Sequence, residues 1–254
     1  MDGINLKNVS HVYQRQLILS DVDLHVQKEK ITCLVGPNGA GKSTILKLFA
    51  GLLVPLRGHI TLDNIDIRNF TRRALAKKLS YMPQQCRIPA GLTVREYVAL
   101  GRFCHQSWFS NLKEDDHAAI EQAIDMADLS RHADQFAATL STGEQQRARI
   151  ALMLAQQSEY LLLDEPMTGL DLKQQRNLLE LLTALRKHHA KTIIVILHDL
   201  HQVIAMADEA VMLKEGRVLD RGQPRTVINP HNLCSMFDYP FDLFAQQYTQ
   251  TGNS

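Results

Sequence analysis

The chain has 254 residues, 45% of them apolar and 22% charged, with a formal net charge of +1. That is enough material for a sizeable buried core, and the near-neutral balance excludes the basic field that draws proteins onto nucleic acid or acidic membrane surfaces. The four cysteines, Cys33, Cys86, Cys104 and Cys234, form no C-x-x-C pair, which argues against a disulfide framework or a cysteine zinc site and fits reduced thiols in the cytosol.

The N-terminal MDGINLKNVSHVYQ places acidic and polar residues where a secretion leader needs a basic and then an apolar stretch, so no leader is expected. The first thirty residues and GHITLDNIDI (58–67) are short alternating segments with an Asp63-Asn64 turn signal, which predicts antiparallel β-structure. Between them, Ile31 to Val35 is a short apolar run suited to a buried parallel strand.

That strand runs into Gly36-Pro37-Asn38-Gly39-Ala40-Gly41-Lys42-Ser43-Thr44, followed by a helical run, TILKLFAG, that Gly51 can end. The residue types suit a polyphosphate. Glycines let successive backbone N–H groups turn inward, Lys42 reaches the β and γ oxygens, and Ser43 offers a hydroxyl to Mg²⁺. ATP binding and turnover is therefore the central expectation.

The apolar runs at 50–56 and 193–197 are far below the ~20 residues that span a bilayer. Arg68, Arg72, Arg73, Lys77 and Lys78 are interleaved with Leu75 and Leu79, which predicts a solvated face of an amphipathic helix and not a nucleic-acid patch. From about Cys86 to Gln157 the pattern is mostly helical, with periodicity at Val94 to Leu100 and Ala118 to Ala127, and reads as an inserted helical subdomain.

Tyr160 to Leu163 is a buried-strand pattern ending in Asp164 and Glu165, where a parallel sheet presents its carboxyl edge to ligands. Alone, such a pair also serves as a helix cap or a solvated pair; beside a phosphate loop, Asp164 is expected to support Mg²⁺ and Glu165 to polarise the attacking water. A helix is predicted over 172–187, with Leu178, Leu181, Leu182 and Leu185 on one face. Thr192 to Leu197 is another buried strand. His198 at its edge is placed either to steady the γ-phosphate, the water or Glu165, or to stand by. His198 and His201 have a metal-like spacing but no third ligand in view, so no zinc site is expected. The ending QQYTQTGNS is polar and expected to fray, and no repeat divides the chain, so one nucleotide site per chain follows.

A third segment, Leu140-Ser141-Thr142-Gly143-Glu144 followed by Gln145-Gln146-Arg147, resembles the signature sequence of the ATP-binding cassette (ABC) family. The resemblance covers essentially the whole chain. It departs from the usual Leu-Ser-Gly-Gly-Gln at Thr142 and Glu144, and retains Ser141 and Gly143. It implies an adenine-stacking role for Tyr13, a contact of Gln84 with Mg²⁺ and water, and a family role for Asp171 in Thr-Gly-Leu-Asp. By itself Tyr13 also reads as a half-buried strand tyrosine, Gln84 as a loop cap, and Ser141 as a simple helix cap. The implied fold is α/β, a P-loop NTPase core with a mainly parallel sheet, an antiparallel β subdomain and an inserted helical subdomain. Residues 1–254 would form one ABC ATPase domain, with core segments 1–85 and 158–254 and a helical segment 86–157.

The family further implies ATP and Mg²⁺ as ligands, and a head-to-tail dimer with a second copy, whose γ-phosphate meets the Ser141 hydroxyl and Gly143 amide. Lacking a spanning segment, the chain resembles the separate ATPase of a bacterial importer, peripheral on the cytoplasmic face of the inner membrane. Its partners would be integral permease subunits and, indirectly, a substrate-binding protein. Residues 72–102 are similar to the ATPases serving ferric siderophores, haem and vitamin B12, so an iron chelate is the preferred cargo, with B12 or a metal ion as alternatives. A soluble non-transport cassette would be expected to carry a second cassette or a long coiled coil, and a P-loop kinase an acceptor site.

Overall fold

Two strands, Gly3–Tyr13 (β1) and Gln16–Gln27 (β2), open the structure as an antiparallel hairpin. This computed structural model describes residues 2–106 and 111–238, so the polar ending QQYTQTGNS lies outside the described residues. Gln14 and Arg15 join the two strands with φ of 48° and 66°, the pair of positive values that a tight hairpin turn requires. Ile31–Val35 (β3) then enters a second sheet and leads to the helix Lys42–Phe49 (α1). The chain returns to the first sheet as Arg57–Leu62 (β4) and Ile65–Asp66 (β5), joined by Asp63 and Asn64 at φ of 49° and 65°. The antiparallel sheet has the order β2-β1-β4-β5, as the alternating pattern of its segments predicts.

Helix Arg72–Lys78 (α2) leads into Leu79–Met82 (β6). Leu79, read from the sequence as part of the helix's apolar stripe, is instead the first residue of a strand, because its pairing with Tyr160 draws it into the sheet. The basic residues nearby have specific partners: Arg68 binds Asp66, Arg73 donates to the Cys104 and Gln106 carbonyls, and Lys78 meets Glu159 at 2.6 Å.

Helices Val94–Ala99 (α3), Glu114–Met126 (α4) and Thr142–Ala155 (α5) follow. The remainder alternates Tyr160–Leu163 (β7), Leu172–His189 (α6), Thr192–Ile196 (β8), Leu200–Met206 (α7), Glu209–Lys214 (β9) and Arg217–Gly222 (β10), ending in Pro224–Val227 (α8) and Pro230–Phe237 (α9). The second sheet has the order β10-β9-β3-β8-β7-β6, parallel throughout except for β9 with β10. This is an α/β fold of the P-loop NTPase type.

Strand alternation divides the core. Tyr160 and Leu162 of β7 pack with α1 and the antiparallel sheet, whereas Leu161 and Leu163 pack on the opposite face with Leu178, Leu182 and Leu185 of α6. A third apolar cluster is drawn wholly from residues between Ile88 and Ala155. Helix α5 belongs to two clusters: Ala148, Ala151 and Ala155 face the helical segment, and Ile150 and Met153 face the sheet.

Candidate functional site

The buried strand β3 delivers the phosphate loop to the carboxyl edge of the parallel sheet, and backbone sterics explain its glycines. Gly36 has φ of 154°, and a Cβ there would lie 2.2 Å from the Leu213 carbonyl oxygen. Gly41 caps α1 at φ of 97°, where a Cβ would press on Leu19. Lys42 is 5% exposed and donates from Nζ to the carbonyls of Gly36 (2.7 Å) and Pro37 (2.9 Å), so its ammonium is held over the loop. Burial lowers its pKa, opposed by the nearby charges of Glu165 and Asp164.

Alternation along β7 decides where the first carboxylate points. Tyr160 and Leu162 face α1, and Asp164, two residues further, faces it too: Ser43 Oγ at the start of α1 donates to Asp164 Oδ1 at 2.9 Å. Tyr81 on the adjacent strand β6 donates its hydroxyl to Oδ2 of the same carboxylate at 3.2 Å. Asp164 is 3% exposed, and burial raises its pKa against the lowering effect of these two hydroxyl donors. Tyr81 carries no role in the sequence reading. The signal was its register, since Tyr81 pairs with Leu162 in the parallel ladder and so ends near Asp164.

Alternation stops at Glu165, whose φ is 52°. A left-handed backbone is uncommon for glutamate, and such conformations persist where the surrounding structure enforces them. Here the carboxylate is gripped from both sides: Gln84 Nε2 donates to Oε2 at 2.5 Å, and His198 Nε2 lies 2.8 Å from Oε1. Gln84 follows β6 and His198 follows β8, so the strands flanking β7 each send one residue to its glutamate. A cavity of about 560 Å³ is bounded by Tyr13, Gly39, Lys42, Ser43, Gln84 and Glu165, which the sequence reading named separately. Tyr13, at the end of β1, is 59% exposed and presents its ring at the cavity edge.

The signature residues are elsewhere. Ser141 caps α5 in a reciprocal box: Glu144 N donates to Ser141 Oγ at 3.4 Å, while the Ser141 amide and hydroxyl donate to Glu144 Oε2 at 2.9 Å and 2.6 Å. His132 Nε2 stands 3.4 Å from the other carboxylate oxygen. The departure from the usual signature at Glu144 thus has a local structural use. Gly143 is buried, and a Cβ there would fall 2.3 Å from the Gln174 side chain, so it permits α5 to approach α6. Asp171 caps α6 by accepting from Gln174 N at 2.8 Å. Gly143 and Asp171 line a separate groove of about 530 Å³, not the Lys42 cavity. Gln174, at the centre of this contact, was not singled out from sequence because its partner Gly143 lies in another helix, with the rest of α5 and strand β7 between them.

The hydroxyl of Ser43 and the carboxylate of Asp164 form a hard-oxygen pair, a donor set that suits Mg²⁺ and not a soft metal. Together with the phosphate loop this is the set of groups that a nucleoside triphosphate and its cation require.

Comparison with known proteins agrees. The ABC transporter family matches over residues 19–168. The achromobactin transport ATP-binding protein CbrD of Dickeya dadantii is 37% identical over 94% of this chain and 88% of its own length. The iron(3+)-hydroxamate import ATP-binding protein FhuC of Bacillus subtilis is 35% identical over 98% and 93%. Among solved structures, an inward-facing metal-chelate type ABC transporter superposes with a TM-score of 0.83 at 28% identity, covering 94% of this chain and 90% of that one. A dimeric bacterial ABC transporter cassette superposes at 0.77 with 30% identity, over 87% and 99%. This chain belongs to the ABC transporter family and is its ATPase component. No helix among the described residues is long and apolar enough to cross a membrane.

Proposed function

We propose that the chain is the ATP-binding and hydrolysing subunit of a bacterial importer for iron chelates, working as a pair of copies beneath an integral membrane permease. The observation that carries the catalytic reading is Glu165, held in a strained backbone conformation between Gln84 and His198 beside the phosphate loop. The transport reading is supported by relatives that serve achromobactin and ferric hydroxamates, aligned over nearly the whole chain.

In this reading Tyr13 offers its ring to adenine, and the amides of residues 36–44 with Lys42 receive the phosphates. Glu165 orients a water for in-line attack at the γ-phosphorus; Gln84 and His198 keep its carboxylate aimed. Ser43 and Asp164 would hold Mg²⁺, with Gln84 within reach of the same site. When bound there, the ion would supply positive charge against the developing negative charge of the phosphates. Ser141 and the Gly143 amide, at the N-terminus of α5, are the groups offered to the γ-phosphate of a second copy, which accounts for their separation from their own chain's cavity. A substrate-binding protein would deliver cargo to the permease. The chain would then lie peripherally on the cytoplasmic face of the inner membrane, without contact with cargo or nucleic acid.

The test has two arms. Purified protein should release phosphate from Mg·ATP with no added acceptor, and cells lacking the chain should lose uptake of radiolabelled ferric hydroxamate or catecholate. Phosphate release with normal iron uptake would overturn the cargo and leave the ATPase. Absence of both would overturn the whole reading.

A further inference from the structure

We infer that Tyr81 is a positioning residue for the metal-site carboxylate, fixing the plane of Asp164 through its hydroxyl. The inference rests on the reading of Asp164 as a magnesium-holding group.

The terminal torsion of an aspartate is broad, so a carboxylate held at one oxygen can still rotate. Asp164 is held at both: Ser43 donates to Oδ1 from the α1 side, and Tyr81 to Oδ2 from the neighbouring strand. The backbone is tied to the same strand, since the Asp164 amide donates to the Met82 carbonyl at 3.0 Å. Two donors on different oxygens define a plane, and each uses one lone-pair direction of the carboxylate, leaving the others for the shell of a cation. The Tyr81 ring packs against the apolar core between the two sheets, which fixes where its hydroxyl can go. Two residues on from Met82, Gln84 grips Glu165. The single segment Tyr81 to Gln84 therefore sets both acidic residues, one for the metal and one for the water.

Removing only the hydroxyl should free the carboxylate and leave the packing. Tyr81→Phe in the full chain is expected to weaken Mn²⁺ binding, followed by electron paramagnetic resonance with a non-hydrolysable ATP analogue, by roughly tenfold. Nucleotide affinity in EDTA should be little changed, and the thermal midpoint should fall only by the few degrees that one lost hydroxyl donor costs. In an Asp164→Asn background the same change should have no further effect on Mn²⁺, because Tyr81 acts only through that carboxylate. Unchanged Mn²⁺ affinity in Tyr81→Phe, or equal losses with and without metal, would overturn the inference. Wild-type protein that binds ATP without any metal dependence would overturn the magnesium reading itself, and this inference with it.

Discussion

Ser43 Oγ donates to Asp164 Oδ1 across 2.9 Å, joining the first turn of α1 to the end of β7 over 121 positions of sequence. The bond links the phosphate loop to the acidic edge of the sheet. Ser43→Ala would leave a buried carboxylate with Tyr81 as its remaining hydroxyl donor, and should cost about 1–2 kcal/mol of stability together with weaker magnesium-dependent ATP affinity. Urea unfolding and ATP titration with and without Mg²⁺ measure the two effects.

Glu165→Gln keeps the shape of the side chain but turns one of its two acceptor oxygens into an amide donor and removes the base. Turnover should fall by about 10²-fold or more while ATP binding persists. Two copies should then remain joined, so size-exclusion chromatography with Mg·ATP should show a dimer peak that vanishes on nucleotide removal. Wild-type turnover in this variant would remove Glu165 from the mechanism and leave the fold untouched.

Lys42→Ala should weaken ATP binding by roughly 10- to 100-fold, the loss expected when one charged donor to phosphate is deleted. The fold should survive, because among the described residues the lysine's side-chain hydrogen bonds go only to carbonyls of its own loop, Gly36 and Pro37. Fluorescent-nucleotide titration and far-ultraviolet circular dichroism separate the two effects.

Gly143→Ala should destabilise by no more than about 1 kcal/mol, by displacing the flexible end of Gln174 that also receives the Asp171 amide, and should lower turnover by disturbing α5 where it faces α6. Gln174→Ser in the same chain removes the obstruction, so the double variant should be more stable than Gly143→Ala alone. A thermal-melt double-mutant cycle checks that coupling.

Glu144 carries a pH signature. The Ser141 hydroxyl, and then its amide, hold the Glu144 carboxyl below the usual carboxylate range. A lowered folded-state value means that the stabilisation is present above the unfolded value, near pH 4, and is lost as pH falls through the folded value. Glu144→Gln should therefore melt below wild type at pH 7, with the difference closing at more acid pH; a constant difference from pH 7 to pH 3 would contradict the assignment.

The phosphate loop was legible because its chemistry is local: the glycines, Lys42 and Ser43 occupy consecutive positions, and a strand and a helix frame them. The antiparallel sheet announced itself by alternation and by Asp63-Asn64. The place of Glu165 at the end of an apolar run was legible, yet its left-handed backbone was not, since the side chains that hold its carboxylate, Gln84 and His198, come from beyond the ends of two other strands. Tyr81 and Gln174 were missed for the same reason. Each acts on a residue distant in sequence, through a register or a helix packing that the local pattern does not encode. Leu79 was misplaced because a short amphipathic repeat cannot show where sheet pairing takes over from helix.

Helix α5 has an alanine stripe on one side and Ile150 with Met153 on the other. Alanine side chains are short, so α5 lies close against the bundle around Ile88 to Ala155, whereas its contact with the sheet is made by the longer side chains of Ile150 and Met153. Ser141, at the N-terminus of α5, and Lys42, at the start of α1, are thus mounted on different packing units, and the α5 seam is where one unit's position is passed to the other's sheet.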